Sequence, residues 1–366
     1  MMSMDQGILP EAFTTKFAQA QYSAPPLSFP LVAKTFKQYF GKGPSYLYDS
    51  FSKNALAAAS IGQVHQAEKD GKKLAVKVQY PGVADSIVSD LRVVKPLVGT
   101  FIKISNQELN HYLEEVQSRL LEETDYKLEL RRSVEISEAC GHIEGLQFPK
   151  YYPELSAERI LTMDWLEGKH LDKFLQSNPS QEVRNRIGQV LWDFYDFQIH
   201  VLHQLHADPH PGNFLISENG TLGVIDFGCV KHLDDDFYKS YFRVMDPRVL
   251  EDHEYFMEVL HELQFLHEND SEKEAIYFEE LFKEMHQLFG RPFFSETFDF
   301  GDVAFFQEIF AQGERFSNDK MLRKANAARG PKDAIYLNRT YFGLFSFLHQ
   351  LKAEIKTRSA LEATFV

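Results

Sequence analysis

The stretch LHADPHPGNFLISENGTLGVIDFGCVK, residues 205–231, constrains the fold more than any other part of the chain. A loop rich in Pro and Gly joins an apolar-periodic helix to two short apolar strands turned at Glu218-Asn219-Gly220. Asp208 and Asn213 stand five apart on that loop, and Asp226 follows thirteen residues later at a strand end. Such a pair on one stiff loop, with a second aspartate, supplies the hard oxygen ligands that Mg²⁺ takes. A metal held there bridges phosphate oxygens and neutralises developing charge. His206-x-Asp208-x-His210 also permits a transition-metal site in which alternate side chains converge. That reading leaves Asn213 and Asp226 without a role. His206 reads better as a buried histidine that anchors the loop, Pro209 and Pro211 as stiffeners, and Cys229 as a small packing residue.

An earlier segment, ALAAASIGQVHQAEKDGKKLAVKVQYPG from Ala55 to Gly82, predicts a strand, an Asp70-Gly71 hairpin and a second strand of strict alternation. Leu74, Val76 and Val78 share one face of that second strand, and Ala75, Lys77 and Gln79 the other. A lysine among valines can simply face solvent. Its place after a hairpin and the small-residue loop Ala57-Ala58-Ala59-Ser60-Ile61-Gly62 is, however, how kinase-like folds aim one ammonium at nucleotide phosphates. Asp208 and Asn213 have the spacing of the kinase catalytic loop, and Asp226-Phe227-Gly228 is the matching DFG. Alanine resists the positive φ that glycine adopts freely, so this loop is expected to be stiffer than a Gly-rich one; its alternative is a helix N-terminus.

Lys77 needs an acidic partner, and the helical pattern from Gln107 to Arg132 offers Glu122, Glu123, Asp125 and Glu129. Leu113, Val116, Leu120 and Leu121 form its apolar stripe, which places Glu122 and Glu129 on nearly one face with Glu123 adjacent. The spacing does not choose among them. Further on, RILTMDWLEGKHLDKFL predicts a buried strand, a turn at Glu167-Gly168 and a helix. Met163, Asp164 and Leu166 would lie at a crossover that meets adenine, or at an ordinary strand end.

Bulk properties narrow the function. At 366 residues the chain can bury a sizeable core, roughly 75% of its unfolded surface. Its two cysteines, Cys140 and Cys229, make no disulfide framework and suit a reducing interior compartment. A formal net charge of −14 argues against nucleic-acid binding, which needs a basic surface. The first residues, MMSMDQGILPEAF, lack the pattern of a secretory signal. No apolar run reaches the ~20 residues of a spanning helix. The expected place is therefore the cytoplasm, with peripheral contact at the inner face of a membrane allowed. No GxxxxGK[ST], GxSxG, HExxH or strand-following GxGxxG is present to suggest other chemistry.

Taken together, the motifs resemble the UbiB/AarF/ADCK atypical kinases, which carry an alanine-rich loop in place of the Gly-rich one. AAASIGQVH at Ala57–His65, VKVQYPGV at Val76–Val83, ETDYKLE at Glu123–Glu129, ERILTMDWLEG at Glu158–Gly168, HADPHPGNF at His206–Phe214 and VIDFG at Val224–Gly228 all follow that family's pattern. The resemblance runs from about residue 5 to about residue 355. It implies an α+β, two-lobed protein-kinase-like fold. A helical extension over 1–50 would precede the two lobes, a sheet-containing N-lobe over 51–165 and a helical C-lobe over 166–366.

It further implies that Ala57, Ala58, Ala59 and Ser60 lie over the phosphates of ATP or ADP and that Lys77 pairs with Glu123. Glu129 then takes an accessory acidic position, Asn213 and Asp226 bind Mg²⁺, and Asp208 stands where kinases keep the catalytic base. The family is linked to isoprenoid quinone (ubiquinone) biosynthesis, ATPase activity and membrane lipids, so a quinone precursor or other lipid is an expected partner besides nucleotide. A nucleotide-binding scaffold or lipid-extraction factor with negligible transfer, or a Ser/Thr protein kinase, are the alternatives. The family's KxGQ motif is absent; the chain begins with what looks like the stretch following it, consistent with a misplaced start, a truncation or a missing covering element. Phe305, Phe306, Phe310, Phe342, Phe345 and Phe347 stand at helical spacing, as in a helical core or, alternatively, a groove for a prenyl tail.

Overall fold

A computed structural model of the chain describes residues 27–357 except 60, 102–116, 118–119, 247, 320, 323–328 and 332. The chain divides into two compact units. One comprises residues up to Gly141, Gln147–Glu167 and Gly223–Cys229; the other comprises His142–Leu146, Gly168–Leu222 and the chain from Val230 onward. Ser60, the N-terminal stretch MMSMDQGILPEAF and the segment 107–116 of the acidic helical pattern lie outside the described residues.

The first unit is built on an antiparallel sheet. Its members are α1 (Phe29–Phe40), β1 (Ser50–Phe51), β2 (Ala57–Ala59), β3 (Gly62–Lys69), β4 (Lys72–Gln79), α2 (Val83–Phe101), α3 (Tyr126–Cys140) and β5 (Ile160–Asp164). The strand order is β1-β3-β4-β5, with β2 also paired to β3. The β3–β4 hairpin turns at Asp70 and Gly71, both at positive φ, the conformation that a two-residue hairpin of this hand requires. β4 is central, so alternation decides its two environments. Leu74, Val76 and Val78 pack with Val32 and Phe36 of α1 and with Tyr48 and Ile160 in one core. Phe36 adds edge contacts to Tyr48 and Phe51 at 6.0 and 5.5 Å between ring centres. The helix in the expected N-terminal extension is thus a wall of this core. On the opposite face Ile61, Tyr126, Tyr151, Leu161 and Met163 form a second cluster, with α3 supplying Tyr126. Lys77 lies on this α3 side.

The alanine-rich segment is neither a free loop nor a helix N-terminus. Ala57–Ala59 pair with β3 in the register Ala57↔Val64 and Ala59↔Gly62, so it forms one arm of a tight hairpin. The single long helix expected across Gln107–Arg132 also gives way. Asp125 stops it and caps a new one, its carboxylate accepting from the Lys127 and Leu128 amides at 3.0 Å each.

The second unit is mainly helical: α4 (Leu171–Gln176), α5 (Gln181–His200), α6 (Asp235–Phe242), α7 (His253–Glu262), α8 (Glu272–Phe289), α9 (Val303–Asn318) and α10 (Ala334–Leu351). It also holds the short strands β6 (Gln204–His206), β7 (Phe214–Ile216), β8 (Leu222–Val224, which runs on into the first unit's segment), β9 (Val230–His232), β10 (Thr297–Asp299) and β11 (Glu354–Lys356). β6 and β9 pair antiparallel, as do β10 and β11. α5 is capped by Ser180 and buries Ile187, Leu191, Phe194, Tyr195 and Ile199. At Gly188 this helix runs so close to Leu348 and Ala353 that a Cβ would come 2.6 Å from the Ala353 methyl. Of the phenylalanines at helical spacing, Phe305, Phe306, Phe345 and Phe347 are buried in the helical core, while Phe310 and Phe342 are exposed. Among the described residues no helix is long and apolar enough to cross a membrane.

Gly62 marks the tightest approach beneath the alanine hairpin. A Cβ there would lie 2.5 Å from the Val78 carbonyl oxygen and 3.0 Å from the Tyr126 hydroxyl. Gly62→Ala is expected to cost about 1–3 kcal/mol through overpacking, read from urea unfolding. Gly43→Ala, where a Cβ meets nothing within 4 Å, should stay within about 0.5 kcal/mol of the parent.

Candidate functional site

Two clusters of polar side chains stand out, one in each unit. In the first, β4 carries Lys77 opposite Val64 of β3 and Leu161 of β5, and the side chain rises on the α3 side of the sheet. Its Nζ donates to Glu129 Oε1 and Oε2 at 2.9 and 3.1 Å and to Asp226 Oδ2 at 2.9 Å. Lys77 and Glu129 are only 5% and 3% exposed, so their charges are compensated by each other and not by water. Asp226 is less covered, and its Oδ1 accepts from the Gly228 amide at 2.8 Å, which fixes the carboxylate. The Tyr126 ring faces the ammonium with 5.1 Å from Nζ to the ring centre.

The charge count explains the electrostatics. Burial alone would lower the Lys77 pKa, but Asp226 and Glu129 outweigh it and hold the ammonium above the ordinary lysine value. Two carboxylates share that one cation. Burial pushes Glu129 up to about 7, Lys77 opposing the shift and Asp226 adding to it. The cluster is thus rich in negative charge at its more exposed end, at Asp226.

The partner of Lys77 corrects the expectation that it would be Glu123. Glu123 precedes the Asp125 cap, whereas Glu129 sits one turn inside α3, on the face turned to the sheet. Once the helix is broken at Asp125, the shared face expected for Glu122 and Glu129, with Glu123 adjacent, no longer exists. The neighbouring Glu122 binds Arg132 at 2.9 Å. The available signal was Thr124-Asp125 ahead of an apolar-periodic run, the mark of a helix start.

In the second unit the loop between β6 and β7 carries Asp208 and Asn213. The Asn213 Nδ2 donates to the Asp208 carbonyl oxygen and to Oδ2, both at 2.9 Å. Arg339 of α10 donates from Nη2 to Asp208 Oδ1 at 2.7 Å. Arg339 is a residue that sequence reasoning missed: it lies 131 positions from Asp208 in no motif, and no local pattern marks it. Because Asn213 gives its NH₂ to a carboxylate that can only accept, its Oδ1 is the atom left for a hard cation. Asp226 in the first unit offers carboxylate oxygens of the same kind. Both donors therefore suit Mg²⁺ in type.

The two histidines of the loop are engaged separately. Buried His206 meets the Tyr195 hydroxyl through Nδ1 at 3.2 Å, and His210 Nδ1 accepts from the Gly212 amide at 3.0 Å. Among the described residues no group of three His, Cys, Asp or Glu side chains is arranged to hold a metal. Met163 is buried in β5 opposite Ala75, and Asp164 accepts from the Tyr152 hydroxyl at 2.7 Å. Trp165 extends the strand by donating to the Lys73 carbonyl at 3.0 Å. Leu166 is half-buried, one residue before the Gln147–Glu167 segment of the first unit ends.

Removing Glu129 takes two hydrogen bonds from the buried ammonium and leaves it to Asp226, at a cost of about 1.5–3 kcal/mol. Glu129→Ala is expected to lose stability on that scale, and Glu123→Ala clearly less, in paired urea-unfolding curves. Equal losses would remove the assignment of Glu129 as the lysine's partner.

The chain is similar to known proteins over most of its length. Residues 19–260 match the ABC1 atypical kinase-like domain. AarF domain-containing protein kinase 1 of Xenopus laevis is 30% identical over 254 residues, covering 68% of this chain and 49% of that protein. The mitochondrial atypical kinase COQ8 of Saccharomyces cerevisiae is 26% identical over 369 residues, covering 99% of this chain and 71% of its own length. The chain spans about half the length of several of the curated relatives it matches. A solved Mycobacterium tuberculosis protein, Rv3197 in complex with erythromycin, superposes with a TM-score of 0.71 at 23% identity, covering 98% of this chain and 88% of that one. With a protein-kinase-like fold and a match across most of its length, this chain belongs to the ABC1 atypical kinase-like family, the UbiB/AarF/ADCK group that its motifs resemble.

Proposed function

We propose that the chain binds ATP with Mg²⁺ and turns it over as an atypical kinase or ATPase, acting on a small-molecule or lipid acceptor in isoprenoid quinone metabolism. The observation that carries this reading is the buried Lys77 ammonium, held at 2.9 Å by both Glu129 and Asp226. A lysine fixed in a sheet in this way has a defined direction and a standing charge, as phosphate binding requires. Asp226 and the Asn213 Oδ1 would hold the metal, which when bound neutralises charge on the phosphates. Asp208 would accept the proton of the attacking hydroxyl. Peripheral contact with a membrane fits a lipid acceptor and the absence, among the described residues, of a spanning helix.

A scaffold reading, nucleotide binding with negligible transfer, is favoured by one observation. Both oxygens of Asp208 already accept hydrogen bonds from the protein, from Arg339 and Asn213. Thermal shift with MgATP and phosphate release, measured on the same sample, separate the two readings. Asp226→Asn is expected to stay folded by circular dichroism and to lose turnover by about a hundredfold or more. Strong binding without release, with quinone-like lipids present, would favour the scaffold; unchanged turnover in Asp226→Asn would falsify the assigned metal role.

A further inference from the structure

Asp208 is held by two donors of very different origin. Asn213 comes from its own loop, whereas Arg339 reaches it from α10 at 2.7 Å. The Arg339 side chain is 22% exposed and that of Asp208 36%. Both groups keep access to water, which screens the pair and makes stability a weak reason for the contact. Among the described residues Asp208 is the sole ion-pair partner of Arg339, and the guanidinium's other donors meet no protein acceptor. A carboxylate has about four lone-pair directions over its two oxygens. With one direction on each oxygen taken, each retains another, and the two donors together fix the plane of the group.

We infer that Arg339 is a positioning residue for Asp208: it fixes the rotation of the carboxylate, so that a remaining lone pair is presented to the attacking hydroxyl. This rests on the turnover proposed above. In that step the oxygen of the acceptor, water in the ATPase reaction, forms a bond to the γ-phosphorus. Its proton passes to Asp208. The bond from the γ-phosphorus to the bridging oxygen breaks, and its electron pair leaves with ADP. Asn213 alone holds one oxygen and leaves the carboxylate free to swing about that contact, so a second donor on the opposite oxygen is what makes the direction unique.

The test is steady-state phosphate release from MgATP by the full chain, its Arg339→Ala, Arg339→Gln and Arg339→Lys variants, and Asp226→Asn as reference. Loss of positioning is expected to lower kcat about tenfold to a hundredfold in the neutral variants. KM for MgATP should stay within about threefold, since ground-state nucleotide binding is untouched. Arg339→Lys should recover part of kcat, and millimolar guanidinium should restore Arg339→Ala but not Asp226→Asn. A kcat for Arg339→Gln equal to the parent's overturns the inference, as does a loss that neither lysine nor guanidinium relieves. If Arg339→Ala does not fold, the Gln and Lys pair decides by the same criteria. A parent chain that releases no phosphate removes the turnover reading and this inference with it, whereas an active parent beside equally active neutral variants removes the role of Arg339 alone.

Discussion

The buried ammonium of Lys77 sets terms that the rest of the first unit meets. A charge in a nearly dry environment must be compensated, and compensation requires partners at hydrogen-bond distance with fixed geometry. Glu129 and Asp226 provide it from two separate stretches of chain. Three consequences follow. β4 must be central, so that its lysine is walled by β3 and β5; α3 must begin where it presents Glu129 to the sheet; and the 223–229 segment must return to the unit that holds Lys77. The apolar cores complete this by alternation, α1 covering the Val76 face and α3 the Lys77 face.

Much of this was legible in the sequence because it depends on local rules. Strict alternation over Leu74–Val78 and the Asp70-Gly71 pair fix a hairpin and its faces without long-range information. The loop carrying Asp208 and Asn213 was legible for the same reason, since both residues lie on one short, stiff segment and the amide reaches the carboxylate locally. Where the structure differs from the sequence pattern, a local competitor wins. The acidic pattern around Glu122–Glu129 has a continuous helical period, but a carboxylate at Asp125 satisfies two backbone amides and starts a new helix. That break changes which glutamate faces Lys77. Ala57–Ala59 likewise has the small residues of a loop, whereas backbone pairing to β3 makes it a strand.

Other features were illegible for a different reason. Arg339 lies in an apolar helix whose pattern announces only burial, and its contact with Asp208 depends on how α10 packs within the second unit. No spacing rule covers a separation of 131 residues. The exposure of Phe310 and Phe342 among otherwise buried phenylalanines is of the same kind, because helical periodicity gives faces but not which face finds a neighbour.

The orientation of Asn213 shows how a short chain of hydrogen bonds can prescribe chemistry. An ionised carboxylate only accepts, so any amide bonded to Asp208 must offer its NH₂. The amide oxygen is then directed elsewhere by elimination, and it is the end that a hard cation prefers. In the other unit the Gly228 amide restrains one oxygen of Asp226 while Lys77 takes the other, so that this carboxylate too is fixed before any ligand arrives. Each carboxylate oxygen keeps a further lone pair. Groups restrained in this way have little left to reorganise when a charged ligand binds, which is the condition under which fixed dipoles and charges act most strongly.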